Sequence, residues 1–499
     1  MEKGNKKIIR GWVMYDWANS VYNLVISSAI FPIFYDNVTT KRYIVDKVNI
    51  SDEQISALDA RVEAEKATNF DYDLSRVTEH DYAIDTLGIT EAQYDAIPSG
   101  FDVANATVEF FGAEVSNSVL MSYVLSASFL VVSVLSPMLS GVADFSGNKK
   151  RFMQFFCYLG ALACISLVGF ANAPIELGML SIFLASIGFW NSLVFYNAYL
   201  PEIAEPKDHD RISARGFSMG YFGSMILLVI CLAIIMGLGG EYTKYCFILV
   251  GLWWLGFSQI TYRVLPNNPY GKKKEKGVLS KGFKELKIVF NEFKKTKRLK
   301  RFLLAFFFYN TGVQTVMLMA VLFAKKEVDW GPAGGDTGLI IAILLIQILG
   351  AGGAFLMSRL SGRLGNVPTL GLSVMIWIGV CVAAYFVTTP FQFYFLAATV
   401  GLVMGGVQAL SRSTYSKFLP ETEDHASYFS FFDVTEKIGI VLGTFAFGMF
   451  EMLTGSLRSS VISVAIFFII GFVLLFFVPR LKRSNKDDDS DEVHVSVLP

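Results

Sequence analysis

The sequence predicts an all-α integral membrane protein whose twelve transmembrane helices form two pseudo-repeated bundles of six. Three observations predict it. The 499 residues are 53% hydrophobic and include 44 Phe, with a mean hydropathy of +0.47. Their apolar residues gather in twelve runs, each long enough to supply the roughly 20 residues that cross an apolar core about 30 Å thick. The chain also repeats itself. Leu139-Ser140-Gly141 returns as Leu360-Ser361-Gly362, 221 positions on, and Leu200-Pro201-Glu202 returns as Leu419-Pro420-Glu421, 219 positions on. Asn19-Ser20-Val21-Tyr22-Asn23 resembles Asn310-Thr311-Gly312-Val313-Gln314 at a spacing of 291, the spacing that also relates Arg10 to Arg301. The polar segment after the first run has 81 residues (36–116) where its counterpart (326–336) has 11, which reconciles the two spacings.

The runs, spans one to twelve, lie at 10–35, 117–141, 152–172, 175–200, 216–238, 245–265, 301–325, 337–358, 369–388, 391–416, 427–450 and 459–479. Residues 1–265 thus form a first six-helix half and 301–479 a second. An even count puts both termini on one side. That side receives Lys3, Lys6, Lys7 and Arg10, then Lys149-Lys150-Arg151, then Lys207, Arg211 and Arg215. It also receives the stretch Lys272 to Arg301, then Arg359 and Arg363, and finally Arg480, Lys482 and Arg483. The short loops opposite carry only Lys244, Lys325, Lys326 and Arg458. Basic loops stay in the cytoplasm, so cytoplasmic termini are expected. The insertion 36–116 then faces outside. It is acidic, and Ser51-Asp52-Glu53-Gln54 and Thr90-Glu91-Ala92-Gln93 fit the capping-box pattern, predicting two or more short helices in a small cap. A lid or spacer is favoured over a binding domain. The linker 266–300 is Lys/Arg-rich with an amphipathic run (Phe283, Leu286, Ile288, Val289, Phe290, Phe293). It reads either as a helix on the inner membrane surface or as a solvated basic connector. The acidic end 480–499 reads as a disordered cytoplasmic tail.

Composition excludes several functions. Lys and Arg number 43, as do Asp and Glu, so no nucleic-acid partner is implied. Cys157, Cys164, Cys231, Cys246 and Cys381 all lie in apolar runs, as packing thiols rather than disulfides or metal ligands. His80, His209, His425 and His494 show no ligand spacing, and no nucleotide-binding loop or Ser/His/Asp set occurs in a plausible context. An enzyme, a resident metal and a cofactor are therefore not expected. The first run is too long for a signal sequence and holds Asp16, Asn19 and Asn23.

What remains is polar residues inside hydrocarbon, where they are costly and tend to line a pathway. Span one carries Asp16, Asn19 and Asn23, whose spacing puts them on one helical face. Span four carries Asn191 and Asn197, span seven Asn310 and Gln314, and span ten Gln408 and Arg412. Asn19, Asn23, Asn191, Asn310, Gln314 and Gln408 converge in depth, which favours a cavity lined by spans one, four, seven and ten. Asp16 has two readings of equal weight: a site for a proton or a substrate amine, or an ion pair with Arg412 that locks the bundle. In span eleven, Asp433 and Lys437 are four apart and read as a structural pair beside Glu436. Gly216, Gly220 and Gly223 in span five, and Gly439, Gly443 and Gly448 in span eleven, read as close-packing positions.

At these residues the chain resembles the major facilitator superfamily, built from two parallel six-span halves. Its signature loop between spans two and three is similar to Ser140-Gly141-Val142-Ala143-Asp144-Phe145-Ser146-Gly147-Asn148-Lys149-Lys150-Arg151. The resemblance implies gating roles for Gly141, Asp144, Arg151 and, in the second copy, Gly362. There Gly permits a tight turn, Asp144 holds helix ends of the neighbouring span, and the basic residues face the cytoplasm. The second copy, Ser361-Gly362-Arg363-Leu364-Gly365-Asn366, lacks the Asp, so the latch is asymmetric. Within the superfamily the chain resembles the vacuole-effluxer-like branch, related to autophagy-linked vacuolar amino-acid exporters. The resembling segments are Tyr15-Asp16-Trp17-Ala18-Asn19-Ser20, Asn197-Ala198-Tyr199-Leu200-Pro201-Glu202, Arg211-Ile212-Ser213, Gly220-Tyr221-Phe222-Gly223-Ser224 and Gly405-Gly406-Val407-Gln408-Ala409-Leu410-Ser411-Arg412-Ser413. The segment 36–116 is not covered.

The expectation is a secondary active transporter moving a small polar solute, such as an amino acid, by alternating access. Substrate-binding residues are Asp16, Asn19, Asn23, Asn191, Asn310, Gln314, Gln408 and Arg412, and efflux follows from the resemblance. Protons are candidate coupling ions. The expected setting is a bacterial inner membrane, with the protein a monomer in the lipid bilayer. Two rivals stand beside this reading: an exporter of hydrophobic compounds, and a non-transporting membrane sensor with the cap as receptor.

Overall fold

The computed structural model describes residues 3–51, 54, 78–97, 106–267, 270, 278–330, 335–454 and 456–479. Among the described residues, twelve helices are long and apolar enough to cross a membrane. They are Lys6–Val48, Asn117–Ser146, Lys149–Gly169, Ile175–Ile203, Pro206–Leu238 and Gly240–Val264 in the first half. In the second they are Lys297–Val321, Gly338–Leu364, Asn366–Phe386, Pro390–Phe418, His425–Thr454 and Leu457–Phe476. All twelve coincide with the apolar runs. The spans alternate in direction, so Lys149, Lys207, Lys297 and Arg363 share one end of the bundle, the basic face.

The two halves repeat one packing scheme. Span one lies against five and six, three against four and six, and two against four. Correspondingly, seven lies against eleven and twelve, nine against ten and twelve, and eight against ten. Contacts between halves obey the same two-fold exchange: two with eleven mirrors eight with five, and five with ten mirrors eleven with four. The breaks after spans two and eight are also equivalent. Gly147 (φ +67°) ends span two and Gly365 (φ +89°) separates eight from nine, each in a backbone region that suits Gly and each followed by Asn.

Small residues set the closest approaches. A β-carbon on Gly216, Gly220 or Gly223 would strike Asp16, Ser20 or Trp17 of span one, and one on Gly439 or Gly443 would strike Thr311 or Thr315 of span seven. Gly448 has open space beside it. All five cysteines are free and buried.

Three features depart from the expected layout. Span one does not stop at 35. It widens to a π-helix over Tyr22–Ala29 and continues as Phe31–Val48. Arg42 anchors this extension by donating to the carbonyls of Phe170, Ala171 and Ala173 at 2.6–3.0 Å. Second, the cap contains a strand pair that the capping boxes did not announce. β1 (Thr107–Phe110) and β2 (Ala113–Ser116) run antiparallel about a Phe111-Gly112 turn with both φ positive. Both capping boxes do form, and Ile44, Val48, Ile50, Ala83, Leu87 and Ile89 make a small separate core. The segment 55–77 and the tail from 480 lie outside the described residues. Third, the linker contains a helix, Val278–Lys295, that packs on spans two and eleven. Gly141 of span two meets the Gly282 backbone there. The rings of Phe290 and Phe293 pack, tilted, against Phe431 of span eleven, with centroids 5.8 and 5.5 Å away. It therefore bridges the halves on the basic face and is neither a free connector nor a helix resting on lipid alone.

Candidate transport pathway and gate

Asp16 and Arg412 meet. Arg412 Nη2 lies 3.1 Å from Asp16 Oδ2 and Nη1 lies 3.4 Å from Oδ1, joining span one of the first half to span ten of the second. Tyr196 donates its hydroxyl to the same Oδ2 at 2.7 Å. The guanidinium also donates to Ser213 Oγ through Nε, to the Ser213 carbonyl through Nη2 and to Asn197 Oδ1 through Nη1. A guanidinium has five N–H donors, and these contacts occupy all five. Trp12, Tyr196 and Phe217 surround it, with their ring centroids 4.9, 5.5 and 4.2 Å from its central carbon. Gly216 makes room for the pair, since a β-carbon there would collide with both partners. In this conformation Asp16 is thus paired with Arg412.

Nearer the basic face, a second tier joins the halves. Asp144 accepts from the backbone N–H groups of Ala426 (3.2 Å) and Ser427 (2.7 Å) and from the Ser427 hydroxyl. It thereby caps the start of span eleven, where a helix leaves N–H groups unpaired and favours negative charge. The resemblance implies that Asp144 holds helix ends of the neighbouring span; the span whose end it holds here is span eleven, which packs on span two from the opposite half. Lys149 is buried between Asp144 and Glu202, and Glu202 also lies 3.3 Å from His425. Lys150 is buried too, donating to the Leu265 carbonyl. These two lysines therefore do not face solvent as expected, because each neutralises acceptors at helix ends; Arg151 is exposed. On the symmetry-related side the acid has changed places. Asp210, in the first turn of span five, accepts from Ser361 (3.0 Å), Asn366 (2.7 Å) and Lys417 (2.6 Å). The missing Asp of the second loop is thus replaced from across the interface. Gly362 has open space beside it and makes no close approach. Ser213 Oγ donates to Ala409 O and Ser218 Oγ to Ala351 O, closing the same face further.

Deeper in the bundle the predicted amides separate into two groups. Gln408 accepts from Tyr221 at 2.7 Å, and Gln314 donates to Glu436 at 2.8 Å. Asn19, Asn191 and Asn310 are 1%, 0% and 4% exposed, yet each keeps a polar atom without a protein partner: Asn19 Nδ2, Asn191 Oδ1 and Asn310 Nδ2. At 1.5 Å per residue the three lie about 18–20 Å along their helices from the basic-face ends. Unsatisfied buried polar atoms are uncommon, and each calls for an explanation. Asn23 is exposed. It stands at the start of the π-helix, one turn beyond the buried Asp16 and Asn19. Among the described residues, no three His, Cys, Asp or Glu side chains are grouped to hold a metal ion.

A family model described as "Vacuole effluxer Atg22 like" matches residues 4–488. The chain belongs to that family. An uncharacterized MFS-type transporter of Bacillus subtilis, YxiO, is 28% identical across 99% of this chain and all of its own length. Autophagy-related protein 22 of Yarrowia lipolytica is 25% identical over 76% of this chain and 78% of its own. Among solved structures, the human organic anion transporter MFSD10 superposes with a TM-score of 0.62 at 10% identity, covering 95% of this chain and 100% of that one. A bacterial ferroportin homologue in an outward-facing state gives 0.58 at 12% identity, covering 96% and 99%. The molecule is thus an MFS-type transporter of the vacuole-effluxer family, not an enzyme.

Sequence reasoning singled out neither His425 nor Asp210 as a gate residue. Both lie in short polar breaks, where a charged residue ordinarily meets solvent, and only the packing of the opposite half buries them. One signal was available. Leu-Pro-Glu repeats at 200–202 and 419–421, and Glu202 proves to be a centre of the buried cluster.

Proposed function

We propose that this transporter carries a small polar solute of the amino-acid class by alternating access, in the direction of efflux. The basic face and both termini would lie in the cytoplasm, at a bacterial plasma membrane. The observation that carries the reading is the set of three orphaned amides on spans one, four and seven. Asn19 Nδ2 and Asn310 Nδ2 are free donors, suited to a carboxylate. Asn191 Oδ1 is a free acceptor, suited to an ammonium group. A zwitterion presents both. Gln314, Gln408 and the exposed Asn23 extend the polar lining. Asp16 and Arg412 are sealed together in this conformation and meet the solute only once the halves part on the basic face. Polar cross-half contacts cluster on that face, which supports an outward-facing state with the inner gate shut. The family description, vacuole effluxer, supports efflux.

Ligand-induced thermal stabilisation tests the site. A solute that binds only the folded protein adds about 2.7 kcal/mol at 100 times its Kd. An amino acid should raise the unfolding temperature of the purified protein, and Asn19→Ala, Asn191→Ala or Asn310→Ala should abolish that shift. Absence of a shift with every amino acid would count against the substrate class.

A further inference from the structure

We propose that Asp433, Glu436 and Lys437 of span eleven form a proton-binding site in the middle of the membrane, and that separation of the two halves empties it. Lys437 Nζ lies 3.0 Å from Asp433 Oδ1 and 3.4 Å from Glu436 Oε2. It sits 3.3 Å from the centroid of the Trp190 ring, on span four of the other half. The lysine side chain is 0% exposed, Asp433 8% and Glu436 17%. Gln314 of span seven donates to Glu436. Ser136 of span two, 0% exposed, stands beside Asp433, with its hydroxyl turned to that carboxyl group. One ammonium thus faces two carboxylates, an excess of one negative charge in a desolvated site. Such a site takes up a proton rather than keep an uncompensated charge.

Two atoms mark the place the proposal gives the proton. Asp433 Oδ2 and Ser136 Oγ are both buried, and neither meets another polar atom at hydrogen-bond geometry. A protonated Oδ2 can donate to the Ser136 oxygen and leave Oδ1 to Lys437, which removes the excess charge; a Ser136 hydroxyl donating to an ionised Oδ2 would leave that charge in place. The charged members belong to the second half; Ser136 and Trp190 belong to the first. When the halves part there, Asp433 loses Ser136, Lys437 loses the aromatic face, and water enters. The O–H bond then breaks, its electron pair stays on Oδ2, and the proton passes to water. Closure reverses the step, so proton occupancy follows the conformational cycle.

The proposal rests on the chain being a transporter, but its test needs no transported solute and so stands apart from the substrate assignment. Infrared difference spectra of the purified protein between about pH 5 and pH 9 would follow the carbonyl stretch of a protonated carboxyl group. We expect a band present at neutral pH, lost on alkalinisation and removed in Asp433→Asn or Glu436→Gln. Lys437→Met raises the excess charge to two, so the band should grow about two-fold. Other buried carboxyls, such as Asp16, Asp144 and Glu202, would leave a band that survives both substitutions. That outcome, or no titrating band at all, would overturn the proposal and leave the trio a structural ion pair. If Asp433→Asn does not fold, Glu436→Gln alone decides.

Discussion

At the residue scale, a buried guanidinium is tolerable only when every donor is used, and Arg412 uses all five. Removing one partner strands the other. Asp16→Asn or Arg412→Gln should each lower stability by about 3–5 kcal/mol, read by thermal unfolding in detergent. The double substitution should recover part of that loss, and strict additivity would show that the pair is not coupled. Ion pairing of Asp16 was legible in the sequence as one of two alternatives. Choosing between them needed the third dimension, because Arg412 lies 396 positions away and Tyr196, Ser213 and Asn197 come from two further helices. Lys149 shows the opposite failure. A lysine in a Lys-Lys-Arg loop ordinarily reads as solvated, and its burial follows from two acids, Asp144 and Glu202, that converge on it from different helices.

At the element scale, the linker helix acts as a strap across the halves. Gly141 allows its backbone to approach span two, so Gly141→Val should displace it. Faster proteolysis within 278–295 should follow, with the transmembrane spans still protected; unchanged cleavage would show that the contact carries no load. The amphipathic pattern of this helix was evident, but not its seat, since a hydrophobic stripe fits lipid and protein equally well. In the cap, His80 lies between Asp81 and Glu91, whose carboxylates hold its imidazole above the usual range. Its contribution is full below the unfolded value, near 6.5, and fades as pH rises through the folded one. Amide exchange in 78–97 should therefore quicken from pH 6 to pH 8 relative to His80→Gln, beyond the intrinsic base-catalysed rise that both proteins share.

At the scale of the whole molecule, the two-fold repeat was visible in three short echoes, two at the breaks between spans and one within spans one and seven, because a duplicated bundle reuses its turns and its contacts. The exchange of Asp144 for Asp210 was not visible, since symmetry permits the acid on either side of an equivalent contact. Together these acids bond across the two halves on the basic face, and in the proposed outward-facing state they would hold it shut. Asp144→Ala with Asp210→Ala should shift the population toward opening there, and a cysteine at Ser218 should react with thiol reagents about ten-fold faster for each 1.4 kcal/mol of shift. An unaltered rate would place the gate elsewhere.

The most direct test of the central claim is counterflow in proteoliposomes with a labelled amino-acid mixture. The account predicts saturable exchange by the wild type and loss of exchange in Asn310→Ala protein that still unfolds at the wild-type temperature. Folded, inserted protein that exchanges no amino acid, or an Asn310→Ala protein that exchanges as fast as the wild type, would contradict it.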